Sequence, residues 1–298
     1  MKLLITGATG LYGSKLAQLA LSRGIEVYSG DTLQPAPYGT TIKLDITDKT
    51  LVDAAFEAAK PDVVIHAAAL TDVDKNELNR ELAWKVNVEG TTNMANAAKK
   101  NGAFLIVIST DYVFDGEKGN YKETDLPSPV SFYGYSKLKA EEAARKILPD
   151  CCIARTSVIY GATPAAGKIN FALWLLGKLQ NKEKINVFTD QYNTPTLNTN
   201  LAQMTLEAAE RKLTGTYHLC GATRISRYEY ATLFAQVFEL DKTLITPTLS
   251  KDLKFPAKRP KDSSLDATKA QQTLKNKPLT IQEAFKQLKT EITNQTTP

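Results

Sequence analysis

The 298-residue chain is 43% hydrophobic and 23% charged, and its 37 lysines and arginines outnumber its 32 aspartates and glutamates by five. Such a globular composition excludes a disordered polymer, a collagen-like repeat and a disulfide-stapled miniprotein. The surplus charge forms no block at either end, which argues against a nucleic-acid partner and suits a phosphate-bearing small molecule.

The chain opens with MKLLITGATG, an apolar run too brief for a secretory leader. No later run approaches the roughly 18 apolar residues of a membrane span, so a soluble cytoplasmic protein with no membrane contact is expected. Residues 3–6, 26–30, 62–67, 104–109 and 151–160 read as strands, apolar enough to be buried on both faces of a parallel sheet. Helical spacing fills the intervals: Leu16, Leu19 and Ala20 within 14–23, Leu51, Val52, Ala55 and Phe56 within 48–59, then 80–100 and 134–148. This alternation predicts an α/β fold with a doubly wound parallel sheet of Rossmann type.

Beyond residue 160 the alternation loosens. GATPAAGK (161–168) reads as a loop, 170–180 as an apolar segment and 185–189 as a strand, followed by a helix at 199–212 and a strand at 216–220. Ser226 with Glu229, and Thr280 with Glu283, have the spacing of capping boxes before amphipathic helices. Residues 243–263 read as a lysine- and proline-rich loop with one short strand, and the tail TNQTTP as frayed. The expected division is a dinucleotide-binding domain over 1–162, to which 185–221 returns, and a smaller interleaved substrate lobe from 163–184 and 222–298. Cys151, Cys152 and Cys220 have no metal-ligand spacing, and no metal site is expected.

The first strand runs into Gly7, Ala8, Thr9, Gly10, Leu11, Tyr12 and Gly13, a GxxGxxG spacing that lets backbone approach a pyrophosphate at a helix start. Asp31 follows the second strand, where a carboxylate accepts from an adenosine ribose; taken alone it favours NAD, while Arg23 or Lys43 leaves NADP open. Asp45 is placed either to meet the adenine or to cap a loop. His66, at a strand end, is expected to line the cofactor cleft, and His218 to be structural. Tyr133 and Lys137, and equally Tyr135 and Lys139, set a phenol and an ammonium one helical turn apart; such a cation draws a tyrosine pKa down from about 10. Ser109, Thr110 and Asp111 close a strand at the carboxyl edge, where open α/β sheets bind ligands.

Together these motifs resemble the extended short-chain dehydrogenase/reductases. The stretches Ser109 to Gly116, His66 to Lys75, Asp190 to Thr196 and Arg259 to Asp266 narrow the resemblance to the dTDP-4-dehydrorhamnose reductase family. The resemblance makes Thr110, Tyr133 and Lys137 the catalytic residues and selects Tyr133 over Tyr135. It implies NADP(H) or NAD(H) held by Gly7, Thr9, Gly10, Leu11, Tyr12, Gly13, Asp31, Asp45, Ile46, His66, Ala67 and Ala68, together with Tyr133 and Lys137. For a nucleotide-sugar substrate it implies Thr71, Val73, Asp74, Asp111, Tyr112, Asn170, Gln191 and Arg259, the last toward a diphosphate. Related dehydratases carry glutamate where this chain has Tyr112, so reduction of a C4 ketone is expected. A 4-epimerase, and a regulatory subunit like that of methionine adenosyltransferase, stay open, and a homodimer is compatible. Val158 and Asn193 depart from the family's tryptophan and glycine.

Overall fold

The computed structural model of the chain describes residues 1–32, 35–164 and 169–296, so the last four residues of GATPAAGK and the final two of the tail lie outside the described residues. The first half is β1 (Lys2–Thr6), α1 (Leu11–Ser22), β2 (Glu26–Asp31), β3 (Thr40–Lys43), α2 (Lys49–Ala59), β4 (Val63–His66), α3 (Val73–Leu78), α4 (Arg80–Trp84), a π-helical turn (Lys85–Glu89), α5 (Gly90–Asn101), β5 (Phe104–Thr110) and α6 (Phe132–Ile147). The second half is β6 (Cys152–Thr156), β7 (Ile159–Tyr160), α7 (Phe171–Gln180), β8 (Ile185–Phe188), β9 (Tyr192–Asn193), β10 (Thr196–Leu197), α8 (Asn198–Glu210), β11 (Gly215–His218), β12 (Ile225–Ser226), α9 (Arg227–Val237), β13 (Ile245–Thr248), α10 (Thr268–Thr273) and α11 (Ile281–Thr296).

Seven parallel strands form the central sheet in the order β11-β6-β5-β4-β1-β2-β3. The order reverses between β1 and β4, which opens a crevice at the carboxyl ends of the strands. Both faces are covered. Leu3, Ile5, Ile106 and Cys152 pack with Leu16 and Ala20 of α1 and with Leu201 and Met204 of α8, while Leu4, Val64, Leu105 and Ile153 pack with Phe56 of α2, Met94 of α5 and Ala144 of α6. Asn198 Nδ2 at the start of α8 donates to Leu11 O at the start of α1, 187 residues earlier, at 3.0 Å.

The return to the sheet is made by α8 and β11. The segment expected to open that return does not join it: β8 pairs in parallel with β13 in a separate two-stranded sheet. Its alternating buried and exposed residues show the physical reason, since one face packs on α9 and the other meets solvent. Residues 151–160 also split. Val158 takes φ +33°, and the chain leaves the sheet before β7 pairs with β10. A third cluster, with Tyr160, Leu175, Tyr230, Phe234 and Phe285, forms the core of the smaller lobe. The Ser226–Glu229 capping box starts α9, reciprocal bonds join Thr280 and Glu283 before α11, and α11 continues through the start of the tail. Among the described residues no helix is long and apolar enough to cross a membrane.

Two glycines give opposite expectations. A Cβ on Gly13 would stand 2.2 Å from Gly7 O, a backbone atom that cannot step aside, whereas Gly177 in α7 faces open space. Gly13→Ala should lower stability by about 1–3 kcal/mol and Gly177→Ala should raise it by about 0.5–1 kcal/mol, read from urea midpoints at unchanged m-value.

Candidate active site

A cavity of about 930 Å³ occupies the crevice. At its floor Gly7 turns the chain out of β1 at φ +70°, and a side chain there would press within 2.9 Å of Ala68 N. Gly10 caps α1 without a side-chain hydrogen bond, and the first turn carries no acidic residue. The N–H groups and dipole of this helix start are therefore turned to the cavity, lined here by Leu11, Tyr12 and Gly13, and they fit an anion such as the pyrophosphate of a dinucleotide. Asp31 Oδ2 accepts from Thr9 N and Thr9 Oγ1 at 3.0 and 2.9 Å, which fixes the glycine loop to the end of β2. Asp45 Oδ1 accepts from Thr47 N and Oγ1 as a loop cap while the residue also lines the cavity.

From the cradle the cavity passes Ile46, Ala67, Ala68, Thr71 and Val73 and reaches Thr110, Asp111, Tyr112, Tyr133, Lys137 and Asn170. Thr110 ends β5. Tyr133 and Lys137 lie on successive turns of α6, whose start is capped by Ser131. Gly134 lets that first turn press onto the strand-end loop: a Cβ there would be 2.0 Å from Tyr112 O. The alternative pair is a surface feature, because Tyr135 is 41% exposed and Lys139 lies over its ring and bonds Glu142.

Lys137 Nζ donates to Ile108 O at 2.8 Å. Burial draws its pKa from the ordinary 10.5 down to about 8, with Glu141 opposing. The expected depression of the tyrosine is not found. Burial raises the Tyr133 phenol, opposed by its bond with Thr110, and the lysine's ammonium is directed at a carbonyl instead. A phenol held in its protonated form is suited to giving a proton to a developing alkoxide.

Behind these residues lies a charged cluster that sequence reasoning missed. Glu141 is fully buried and accepts from Ser109 Oγ at 2.6 Å, from Arg155 Nε and Nη2 at 2.9 and 2.7 Å, and from Arg145 at 3.3 Å. Its position one turn beyond Lys137 on α6 was the available signal. Lys85 and Val86 of the π-helical turn, and Val158 and Ile159 at the break after β6, also line the cavity without having been expected there.

Four expected residues stand outside the lining. His66 is 1% exposed behind the cleft, its ring nitrogens bonded to Thr6 and Thr91, and burial lowers its pKa to about 3. Asp74 and Arg259 hold one another: Nη1 and Nη2 donate to the two carboxylate oxygens at 3.0 and 2.7 Å, and the guanidinium lies 4.0 Å over Phe255. Gln191 accepts from Arg227 Nε at 3.1 Å. Arg227, overlooked in the sequence, lies over Phe171, and its charge acts on Tyr112 to lower a phenol that burial raises. Asn193 lies in the extended strand β9.

The RmlD substrate binding domain family matches residues 1–294. The chain belongs to this family. The RmlD match is accompanied by 35% identity to a dTDP-4-dehydrorhamnose reductase of Aggregatibacter actinomycetemcomitans, over 97% of this chain and 98% of that one. Methionine adenosyltransferase 2 subunit beta of Xenopus laevis is 32% identical over 89% of this chain and 80% of its own length. The crystal structure of dTDP-4-dehydrorhamnose reductase from Bacillus anthracis in complex with NADP superposes with a TM-score of 0.88 at 29% identity, covering 98% of this chain and all of that one.

Because Lys137 binds its proton less tightly when folded, the unfolded chain holds more protons between about pH 8 and 10.5. Its contribution to stability therefore rises with pH across that window. The stability of the wild type relative to Lys137→Met, from urea unfolding at several pH values, should increase from pH 8 to 10.5; a flat difference contradicts the burial of this ammonium.

Proposed function

We propose that this chain reduces the C4 ketone of a nucleotide-activated 4-keto-6-deoxy sugar, foremost dTDP-4-dehydrorhamnose to dTDP-rhamnose. The convergence of Thr110, Tyr133 and Lys137 on one cavity with the glycine cradle carries this reading. The nicotinamide cofactor, when bound, supplies the hydride. The protein's own part is to hold the ketone oxygen beside Thr110 and Tyr133, to pass the Tyr133 proton to that oxygen, and to keep Lys137 beside the reacting groups as a buried cation. Tyr112 occupies the place where a dehydratase needs a second carboxyl, and its ring meets Tyr133 edge-on at 5.7 Å. Elimination of water therefore lacks its base.

Asp31 and Asp45 line the cavity at the ends of β2 and β3, and among the described residues the lysines that line it are Lys85 and Lys137. A 2′-phosphate near those carboxylates would meet like charge, so NADH is expected to bind more tightly than NADPH. For the substrate diphosphate, Arg227 is the better placed arginine, because Arg259 is already engaged with a carboxylate while Arg227 has a neutral amide partner. The resemblance to methionine adenosyltransferase subunit beta supports a second reading, a regulatory subunit that binds cofactor and transfers no hydride. The cytoplasmic setting expected from the sequence accompanies either reading.

The assay follows NADH and NADPH absorbance with dTDP-4-dehydrorhamnose and its GDP and UDP counterparts. Oxidation of cofactor by one of them supports the reductase; cofactor binding without oxidation by any supports the regulatory subunit. Tyr133→Phe should cut turnover about 10²–10⁴-fold while cofactor affinity stays near the wild-type value. Arg227→Ala should raise KM more than it lowers kcat, the mark of lost ground-state binding.

A further inference from the structure

The carboxyl of Asp111 is buried beside Thr110 within a ring of hydroxyls. Ser157 Oγ and Ser263 Oγ donate to Oδ2 at 2.8 and 2.5 Å, and Thr110 Oγ1 lies 3.0 Å from Oδ1. These hydroxyls come from three distant segments: the end of β5, the break after β6, and the strand of chain preceding α10. The ionisable groups that feel Asp111 are the Tyr112 and Tyr133 phenols and the Cys220 thiol, all uncharged at neutral pH. Arg227, Arg259 and Asp74 act around Tyr112, with Arg259 bound to Asp74, and Lys137 is turned toward Ile108 O. Among the described residues Asp111 thus has hydroxyl partners and its own backbone N–H, and no cation in contact.

A proton count at Thr110 is decisive. A hydroxyl has one proton and two acceptor positions. One acceptor position takes the N–H of Tyr112 at 3.2 Å. An ionised Asp111 can only accept, so it would take the single Thr110 proton and leave nothing to donate into the cavity. A carboxyl protonated on Oδ1 instead donates to the second acceptor position of Thr110 and frees that proton, which goes to the Tyr133 phenol oxygen bonded to Thr110 until a ketone oxygen takes its place.

We propose that Asp111 is a positioning residue that works as a neutral carboxylic acid, its Oδ1–H turning the Thr110 hydroxyl outward to donate to the substrate's ketone oxygen. Only the identity of that acceptor rests on the reduction proposed above. Burial pushes the Asp111 carboxyl upward, against the hydroxyl bonds that would stabilise its charge. A buried carboxylate without a cationic partner is costly, and neutralisation relieves the cost. Ser263 adds a link to the smaller lobe, because its backbone N–H also donates to Tyr192 O.

Asp111→Asn tests the proposal. Its amide keeps a carbonyl for Ser157 and Ser263 and places an N–H donor where the acid proton would be, so turnover should stay within about fivefold of wild type. Asp111→Ala should lose about 10²–10³-fold, as for removal of one donor to a developing oxyanion. Wild-type turnover should fall at high pH as Asp111 ionises, and that component should be missing in Asp111→Asn. Infrared difference spectra of the folded proteins give a readout independent of turnover: a protonated-carboxyl carbonyl band at neutral pH, present in wild type and missing in Asp111→Asn. Ser263→Ala, which removes a donor to the ionised form, should carry this band to higher pH. Absence of the band in wild type, an unshifted titration in Ser263→Ala, or an Asp111→Asn as slow as Asp111→Ala overturns the proposal. A wild type that shows the band yet reduces no keto sugar supports the neutral Asp111 and overturns the proposed reaction.

Discussion

The buried carboxylate of Glu141 is the constraint from which the site takes its geometry. Its bonds to Ser109 at the end of β5, to Arg155 on β6 and to Arg145 on its own helix fix the height of α6 against two strands. Thr110 follows Ser109 directly, and Lys137 lies one turn before Glu141, so the hydroxyl and the ammonium inherit their separation from this one anchor. A charge so far from water persists only when fully paired. Arg155 supplies a two-pronged partner and rests its own guanidinium 5.2 Å over Phe114, so removal of the carboxylate strands a second buried charge.

A second set of ties joins the lobes. The chain from Ala257 to Leu265 meets the half that holds the central sheet through Arg259 with Asp74, through Asp262 N to Gly116 O and through Tyr121 N to Ser264 O. It meets the smaller lobe through the reciprocal backbone bonds between Tyr192 and residues 261 and 263. The basic character of this stretch is therefore spent partly on holding the lobes together. Lysines 251, 254 and 258 remain exposed along its edge.

Most of the sheet was legible because a strand covered on both faces leaves a plain signal, a run of apolar residues bounded by glycine or a charged turn. The glycine cradle was legible for a related reason, since spacing on a strand-turn-helix unit converts directly into geometry, whereas spacing offered Tyr133–Lys137 and Tyr135–Lys139 equally and the family resemblance selected the first. What stayed hidden depended on partners far away in the chain. Nothing local to residues 185–188 says that they pair with 245–248 and not with the large sheet. Nothing in HAAALT tells that the imidazole of His66 turns inward to two threonines. The break at Val158 was obscured because a β-branched residue at positive φ runs against local preference, and the surroundings, with Ser157 bonded to Asp111, impose it. Arg259 was read for its chemistry, yet its charge is matched by an aspartate 185 residues earlier.

The packing of α1 on α8 sets an order of events for the nascent protein. Leu16 and Ala20 belong to a core that also needs Leu201 and Met204, and these leave the ribosome long after the first glycine turn has been made. Until then the first helix presents an apolar stripe with nothing to cover it, and such a stripe is what chaperones hold. Ala20 and Leu201 are 181 positions apart, so a long stretch of synthesis passes before the first helix can be sealed, which makes the interval, more than the finished molecule, the period of greatest exposure to aggregation.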